Sequence, residues 1–202
     1  MSLNLYGTRL LELIENYHKV CRVPVSGEVF EDLLDQAINN TSSADNWKKQ
    51  HNTSVDVVAV NTQTRYQIKS AVISYNSLTS LFELRWSGYR STSYGTINEK
   101  VEHFDSREFD KYLIIAKDEK FKFGKRAYKL FEFDKSLIEY KHLEWMETDT
   151  GWEGINKKLP YKATINKKMS DQLWTTCTDT TYVGTPYTID VSFVNHKFFT
   201  LK

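Results

Sequence analysis

The order of hydrophobic and polar positions along the chain predicts a mixed α/β protein. Apolar residues recur at helical spacing over residues 8–20, and again over residues 27–40, where Ser26 is a suitable N-cap. Two runs rich in Val, Ile and Tyr follow at residues 54–60 and 65–73, a composition typical of strands. The residues between these runs suit a turn, so the pair is expected to form a β-hairpin.

Further along the chain, helix-like and strand-like periods alternate. They predict one helix at about residues 98–109 and a short helix at 170–177, with Ser170 as its cap. The remaining predicted strands are residues 81–86, 112–116, 128–133 and 161–165. The expected fold is therefore α/β, with a central mixed β-sheet flanked by helices.

The register of the predicted hairpin decides which polar side chains meet. A four-residue turn at 61–64 places Asp56 across from Lys69. Because side chains two residues apart share a face of a strand, Gln67 joins them at one end of that face. A carboxylate, an amide and an ammonium among β-branched neighbours require partners. They fit either a structural Asp56–Lys69 ion pair or a Mg²⁺ site that hydrolyses phosphodiesters.

The spacing of these residues resembles the signature of the PD-(D/E)XK nuclease superfamily. Asp56 is followed, after ten residues, by Gln67-Ile68-Lys69. Type II restriction endonucleases and junction resolvases belong to this superfamily. The resemblance implies a restriction-endonuclease-like core in which Asp56 and Gln67 bind Mg²⁺ and Lys69 orients or activates the attacking water. Gln67 departs from the pattern, which has Glu or Asp there, and this change removes one negative charge from the metal site.

A second element of the resemblance lies in the helix before the hairpin. Superfamily members commonly carry a Gly-x-x-x-Glu pattern there, whose Glu reaches the metal, and the segment from Gly27 to Glu31 fits it. Glu31 lies near the border of the apolar stripe, whereas Glu28 points away from it. Glu31 is therefore expected to be a catalytic residue and metal ligand. The alternative is a solvated acid in the first turn of a helix, where a carboxylate is favourable anyway.

Segments rich in hydroxyl, amide or cationic groups flank this core and are expected to contact DNA. One directly follows Lys69, and a second, residues 84–98, is predicted to be an ordered loop. A third precedes the predicted helix at 170–177, whose N-terminus would favour phosphate. Each position also has a structural alternative, as a turn, strand or solvated residue. The predicted DNA-binding residues are Ser70, Asn76, Arg85, Tyr89, Arg90, Lys167 and Lys168.

Composition narrows the possible classes of function. With 27 Lys and Arg against 26 Asp and Glu, the net charge of +1 argues against a protein that coats nucleic acid by bulk electrostatics. Cys21 and Cys177 lack CxxC spacing, and the five histidines show no HxxxH grouping, which disfavours a disulfide scaffold, a thiolate zinc site and a zinc hydrolase. No apolar run approaches the about 20 residues that span a bilayer, so a cytoplasmic protein without membrane contact is expected.

At 202 residues, one domain is the expected organisation. Residues 27–116 would form the catalytic core, and residues 117–202 would extend the sheet and recognise DNA. The resemblance implies a Mg²⁺-dependent, sequence-specific endonuclease that acts on double-stranded DNA as a homodimer, with a cognate methyltransferase as its functional partner. A structure-specific DNA nuclease and a non-catalytic α/β binding protein remain as alternatives.

Overall fold

A computed structural model of the chain describes residues 4–21, 23–25, 27–39, 47–49, 55–59, 62–78, 81–89, 94–118, 128–168 and 173–179. Helices and one central sheet confirm the α/β class. The helices are α1 (Asn4–Val20), α2 (Gly27–Asn39) and α3 (Ile97–Asp105). The strands are β1 (Trp47–Lys49), β2 (Val57–Ala59), β3 (Thr64–Asn76), β4 (Leu81–Tyr89), β5 (Lys111–Asp118), β6 (Tyr128–Asp134), β7 (Glu144–Thr148), β8 (Gly151–Ile155), β9 (Tyr161–Asn166) and β10 (Leu173–Cys177). None of the described helices has the length and apolar character needed to cross a membrane.

The sheet is built around the long strand β3. On one edge, β3 pairs in parallel with β5, and β6 then pairs with β5 in the antiparallel sense. On the other edge, β3 pairs first with β2 and then with β4, both antiparallel. From β4 the sheet continues through β10, β9, β8 and β7, and from β2 it continues to β1. The result is a mixed, mostly antiparallel sheet.

A fork opens in this sheet along β3. Residues 64–66 pair with β2, and residues 71–76 pair with β4. Residues 67–70 therefore have no strand partner on that edge within the described chain, although they pair with β5 on the other edge. The fork consists of residues 67–70 together with the adjoining ends of β2 and β4.

Two hydrophobic cores lie on opposite faces of the sheet. The first contains buried residues of α1 and α2, such as Leu10 and Phe30, and the second contains buried residues of α3, such as Phe104. Along β3, Ile68 belongs to the first core and Ala71 to the second. Because side chains alternate along a strand, Gln67 and Lys69 lie on the α3 face and Ser70 on the α2 face.

The hairpin of β2 and β3 confirms the predicted faces but corrects the predicted partners. Ala59 pairs with Thr64, so Gln67, rather than Lys69, lies across from Asp56. Four residues separate the paired positions Ala59 and Thr64, as many as predicted, but both positions lie one residue earlier in the chain, and Gln63 before Thr64 adopts a φ of 55°, in the left-handed region. The resulting shift of two positions is even, and each side chain therefore keeps its face while its cross-strand neighbour changes.

Helix α3 begins as the sequence suggests but ends four residues earlier. Thr96 and Glu99 form a reciprocal capping box at its N-terminus, with bonds of 3.2 Å and 3.1 Å. Beyond its C-terminus, the Lys135 ammonium binds the carbonyl oxygens of Asp105 and Arg107 at 2.6 Å each. The ammonium satisfies carbonyl groups that further helical N–H groups would otherwise satisfy. The helix can therefore end here, and the chain continues into β5.

The helix predicted at 170–177 is wrong: Leu173–Cys177 forms strand β10, and Ser170 lies outside the described residues. Burial alternates along this strand, and both of its edges are paired, with β4 and β9. Five residues are too few to distinguish a helical period from a strand period by composition, and the two sheet partners decide the outcome.

A core substitution in α2 tests the packing of the first hydrophobic core. Replacing Phe30, which is fully buried, with Ala should lower the free energy of unfolding by about 3 kcal/mol through lost burial and a residual cavity. The neighbouring Val29 is 36% exposed, so Val29→Ala is the matched control and should cost less than about 1 kcal/mol. Equilibrium urea unfolding measures both changes. Equal losses in the two variants would contradict the placement of α2 on the sheet.

Candidate active site at the fork

Asp56 lies directly before β2 and closes the fork with its side chain. Its Oδ2 accepts the backbone N–H of Ile68 at 2.7 Å and the side-chain Nε2 of Gln67 at 3.3 Å. Its own N–H donates to the carbonyl oxygen of Tyr66 at 3.0 Å. The carboxylate thus occupies the place of a strand partner for Ile68. Both side-chain bonds end on Oδ2, and Oδ1 accepts none from the part of the chain that the structure describes.

Gln67 is almost completely buried between Asp56 and β5, with 3% of its surface exposed. Its neighbour on β5 is Tyr112, which pairs with it in the parallel register. A half-turn of the amide exchanges Nε2 and Oε1. The side chain can therefore either donate to Asp56, as observed, or offer an oxygen to a cation beside that carboxylate.

Lys69 is half-buried on the same face, and its environment connects the other predicted site residues. Burial lowers the pKa of its ammonium, and the positive charge of Arg107 lowers it further. The carboxylates of Asp56 and Glu31 act in the opposite direction and raise this pKa. The negative charges of Asp56 and Glu31 therefore both act on Lys69, although α2, which carries Glu31, packs on the opposite face of the sheet from Lys69.

The oxygens at the fork suit a hard divalent cation such as Mg²⁺, which prefers carboxylate, carbonyl and water ligands. Asp56 offers Oδ1 and Gln67 can offer its amide oxygen. The negative charge of Glu31, which α2 carries on the opposite face of the sheet, raises the pKa of Lys69. No three His, Cys, Asp or Glu side chains within the described residues form a metal-binding group. With an amide in place of one carboxylate, the donor set fits one cation that keeps several waters better than a pair of cations.

The described DNA-binding candidates do not gather on one surface. Ser70 is half-buried and lies on the face opposite Lys69. Arg85 is exposed on β4, where its guanidinium lies 4.8 Å from the centre of the Trp174 ring. Lys167 and Lys168 are exposed in the turn after β9, and the helix expected to follow them is absent because Leu173–Cys177 is a strand.

The other three candidates cannot be placed as side chains. Asn76 and Tyr89 are the last residues of β3 and β4, and their side chains lie outside the described part, as does the whole of Arg90. Arg85 and Tyr89 are strand residues, so the loop predicted at 84–98 is wrong for residues 84–89, and residues 90–93 lie outside the described part. The reason is that β10 pairs with β4 as far as Tyr89 and thereby extends it.

Arg107 is a residue that the sequence analysis did not identify, and its positive charge acts on Lys69. Its side chain is only 8% exposed, and it lies in the connection between α3 and β5. The sequence placed this position inside a helix at 98–109, where an arginine suggests a solvated face. In a parallel βαβ arrangement, however, the residues entering β5 lie beside the start of the neighbouring parallel strand, and this rule could have identified Arg107.

Comparisons of the chain with protein-family models, with curated proteins and with solved structures each gave no match. The chemistry of the fork must therefore be inferred from its own residues. These are Asp56, directly before β2, with Gln67 and Lys69 on β3, and the charges of Glu31 and Arg107 also act on Lys69.

Proposed function

We propose that this chain is a Mg²⁺-dependent endonuclease that hydrolyses phosphodiester bonds in double-stranded DNA at the fork. The observation that carries the proposal is that Asp56 accepts a hydrogen bond from the buried amide of Gln67, two residues before Lys69 on the same strand face, while the charges of Asp56 and Glu31 both act on Lys69. An ion pair needs only two of these groups. A site for metal-assisted hydrolysis uses all four, as carboxylate and amide ligands beside a cation.

Each residue has a distinct role in this reaction. Asp56, Gln67 and Glu31 would hold Mg²⁺, which would supply Lewis-acid activation of water and compensation of the negative charge on the phosphate. Lys69 orients the water by hydrogen bonding and, when neutral, accepts its proton. The water oxygen forms a bond to phosphorus while the bond from phosphorus to one ester oxygen breaks. The departing oxygen takes up a proton from solvent, so the products are a phosphate monoester and a hydroxyl.

The proposed enzyme is a sequence-specific type II restriction endonuclease that works as a homodimer in the cytoplasm. A palindromic site presents two equivalent phosphates, and a two-fold dimer matches them. A cognate methyltransferase protects host DNA as the functional partner. Sedimentation of the purified protein with a cognate duplex should show two chains per DNA, whereas one chain per duplex would contradict the dimer.

The proposal is tested by incubating the protein with unmethylated phage DNA and with a four-way junction, each in Mg²⁺ or in EDTA. Discrete fragments from phage DNA, seen only with Mg²⁺, are expected, and sequencing their ends gives the site. Cleavage of the junction alone would instead indicate a structure-specific nuclease. If both substrates remain intact with Mg²⁺ and with Mn²⁺, the nuclease proposal is wrong.

A non-catalytic binding protein is the second candidate, favoured by the lack of a three-residue metal group within the described ranges. In that case the bonds of Asp56 to Gln67 and Ile68 would serve only the fold. Calorimetric titration with Mg²⁺ distinguishes the two candidates. A heat signal in the unaltered protein that disappears in Asp56→Asn supports the nuclease, and the absence of any signal supports the second candidate.

Introducing a carboxylate at position 67 tests the proposed metal site by adding a charged ligand. Gln67→Glu should tighten Mg²⁺ binding by about tenfold, because a second charged ligand joins Asp56. Without metal, two carboxylates with little access to water repel each other, so the variant should be less stable than the unaltered protein in EDTA. Thermal unfolding with and without Mg²⁺ measures both effects. The same destabilisation in both conditions would contradict a metal at the fork.

A further inference from the structure

An open cavity of about 470 Å³ lies between α3 and the segment that leads into β7. One side of the cavity is a single face of α3, because residues 98, 101, 102 and 105 recur at helical spacing. The other side comes from Tyr140, Lys141, Leu143 and Trp145. Cavities of this size accommodate small organic ligands. None of the lining residues belongs to the fork, so the nuclease proposal does not account for this cavity.

The inner wall of the cavity is apolar and aromatic. Val101 and Leu143 are buried, and Trp145 is half-buried. Trp145 pairs with Gly154 across β7 and β8, and a Cβ at Gly154 would lie 2.8 to 2.9 Å from three atoms of the indole. The ring therefore lies flat against the backbone of Gly154, and its nitrogen donates to the carbonyl oxygen of Tyr140 at 3.3 Å. These contacts fix the ring, and its other face is available to a ligand.

The rim of the cavity is polar. Asn98 and Glu102 are exposed there, and neither side chain forms a hydrogen bond or ion pair within the described residues. Asp105 is half-buried, and its carboxylate accepts the backbone N–H groups of Tyr140 at 2.9 Å and Lys141 at 2.7 Å. The Asp105 carboxylate is therefore held in place, whereas Asn98 and Glu102 keep their full capacity to bind a ligand.

The charges around the cavity leave one carboxylate without compensation. The Lys141 ammonium pairs with Glu139 at 2.9 Å, and the Lys135 ammonium binds the backbone carbonyl oxygen of Asp105 at 2.6 Å. Glu102 has no such cation among the residues that the structure describes. It lies in the last turn of α3, where the helix dipole favours a positive charge over a negative one. A ligand with one positive charge therefore balances the charges of this cavity.

We propose that this cavity binds an organic cation that carries N–H donors on an apolar stem, such as an alkylammonium or alkylguanidinium ion. The cationic group donates to the Glu102 carboxylate and lies over the free face of Trp145, because both a carboxylate and an aromatic face attract a cation. The stem packs on Val101 and Leu143. Lysine and arginine side chains end in the same groups, so the source of the ligand is either a free small molecule or a peptide.

Titration of the full chain with butylguanidinium chloride tests the proposal, with the indole N–H signal of Trp145 in an NMR spectrum as the readout. Butylguanidinium should shift this signal, and butylurea, which has the same shape without the charge, should not. Glu102→Gln should bind butylguanidinium at least about tenfold more weakly. Glu144→Gln is the matched control, because Glu144 is an exposed acid of β7 outside the lining, and its affinity should stay within about twofold.

Asn98→Asp adds a negative charge to the rim and should tighten the binding of butylguanidinium by about threefold. Asn98 is the second residue of α3, where the helix dipole favours an acid, so the variant is expected to fold. Equal affinities in Glu102→Gln and Glu144→Gln overturn the proposal. Equal binding of butylurea and butylguanidinium overturns it too, as does the absence of any shift with butylguanidinium at millimolar concentration.

An N-acetylated tripeptide with a central arginine distinguishes the two sources of the cation. Binding of the tripeptide that is tighter than that of butylguanidinium, and that Glu102→Gln weakens, supports the cavity as a site for a peptide side chain. Weaker binding of the tripeptide, with butylguanidinium still dependent on Glu102, supports a free small molecule. Tripeptide binding that Glu102→Gln leaves unchanged counts against the cavity as the cation site.

Discussion

Replacing Lys69 with Met should lower the rate of Mg²⁺-dependent DNA cleavage by about a thousandfold while the protein stays folded. The methionine side chain has nearly the length of lysine but can neither orient a water nor accept its proton. Stability should be unchanged or slightly higher, because burial already disfavours the Lys69 ammonium and lowers its pKa. Single-turnover cleavage of a cognate duplex and urea unfolding measure the two effects.

Lys162→Met is the matched control for this variant. Lys162 is an exposed residue of β9 that pairs with Glu153 at 2.9 Å, far along the sheet from β3. Its replacement should leave the cleavage rate within about twofold, since exposed ion pairs contribute little. If Lys69→Met cleaves as fast as Lys162→Met, Lys69 has no part in the chemistry.

Replacing Asp56 with Asn should abolish Mg²⁺ binding and reduce cleavage by about a thousandfold with little loss of stability. The Asn Oδ1 can still accept the N–H of Ile68, the bond that measures 2.7 Å in the unaltered protein. The variant therefore keeps the closure of the fork but loses the charge that holds the cation. Calorimetric Mg²⁺ titration and single-turnover cleavage report the loss.

Asp56→Ala separates this chemical role from a structural one. It removes the acceptor as well as the charge, so the Ile68 N–H loses its partner, and the free energy of unfolding should fall by about 1 to 3 kcal/mol. Asp110→Asn, at an exposed carboxylate paired with Arg65, is the control for the loss of charge alone. Cleavage in Asp56→Asn at the rate of Asp110→Asn would show that Asp56 serves only the fold.

Much of the fold near the fork could be predicted from local patterns. Helices α1 and α2, and the alternation that puts Val57 and Ile68 in one core, follow from the periodicity of residues close in sequence. The register of the hairpin did not follow, because the paired residues Ala59 and Thr64 each lie one residue earlier than predicted, with Gln63 before Thr64 in the left-handed region. A turn with a left-handed residue is difficult to recognise from composition when that residue is neither Gly nor Asn.

Other parts of the sheet were set by partners distant in sequence. β7 and β8 were missed because β7 is mostly exposed along its length, so it carries no apolar alternation. β10 was taken for a helix because its strand character comes from pairing with β4 and β9. Sequence patterns report burial, and they report little about a strand that is stabilised mainly by its ladder of backbone hydrogen bonds.

In the candidate site, too, some positions follow from local sequence patterns and others depend on partners distant in sequence. Asp56, Gln67 and Lys69 belong to one hairpin, so their proximity could be predicted. Glu31 was predicted from the family resemblance of the segment from Gly27 to Glu31, and its place on α2 only favoured it over Glu28. Arg107, whose charge acts on Lys69, could not be found by spacing, because the connection that carries it leads into β5, and β5 meets β3 only in the folded sheet. The expected DNA contacts were inferred from composition alone, which carries no information about faces, and Ser70 accordingly lies on the other face from Lys69.

If the proposed Mg²⁺ binds at the fork, its binding is thermodynamically linked to strand pairing, because both would use the Asp56 carboxylate. Oδ2 of Asp56 accepts the amide of Ile68, and Oδ1 would bind the cation, so the two equilibria would share one side chain. By reciprocity, any perturbation that opens the hairpin weakens the affinity for the cation, and the cation protects the hairpin by the same factor. The exchange rate of the Ile68 amide hydrogen with solvent would then report occupancy of the metal site from within the sheet.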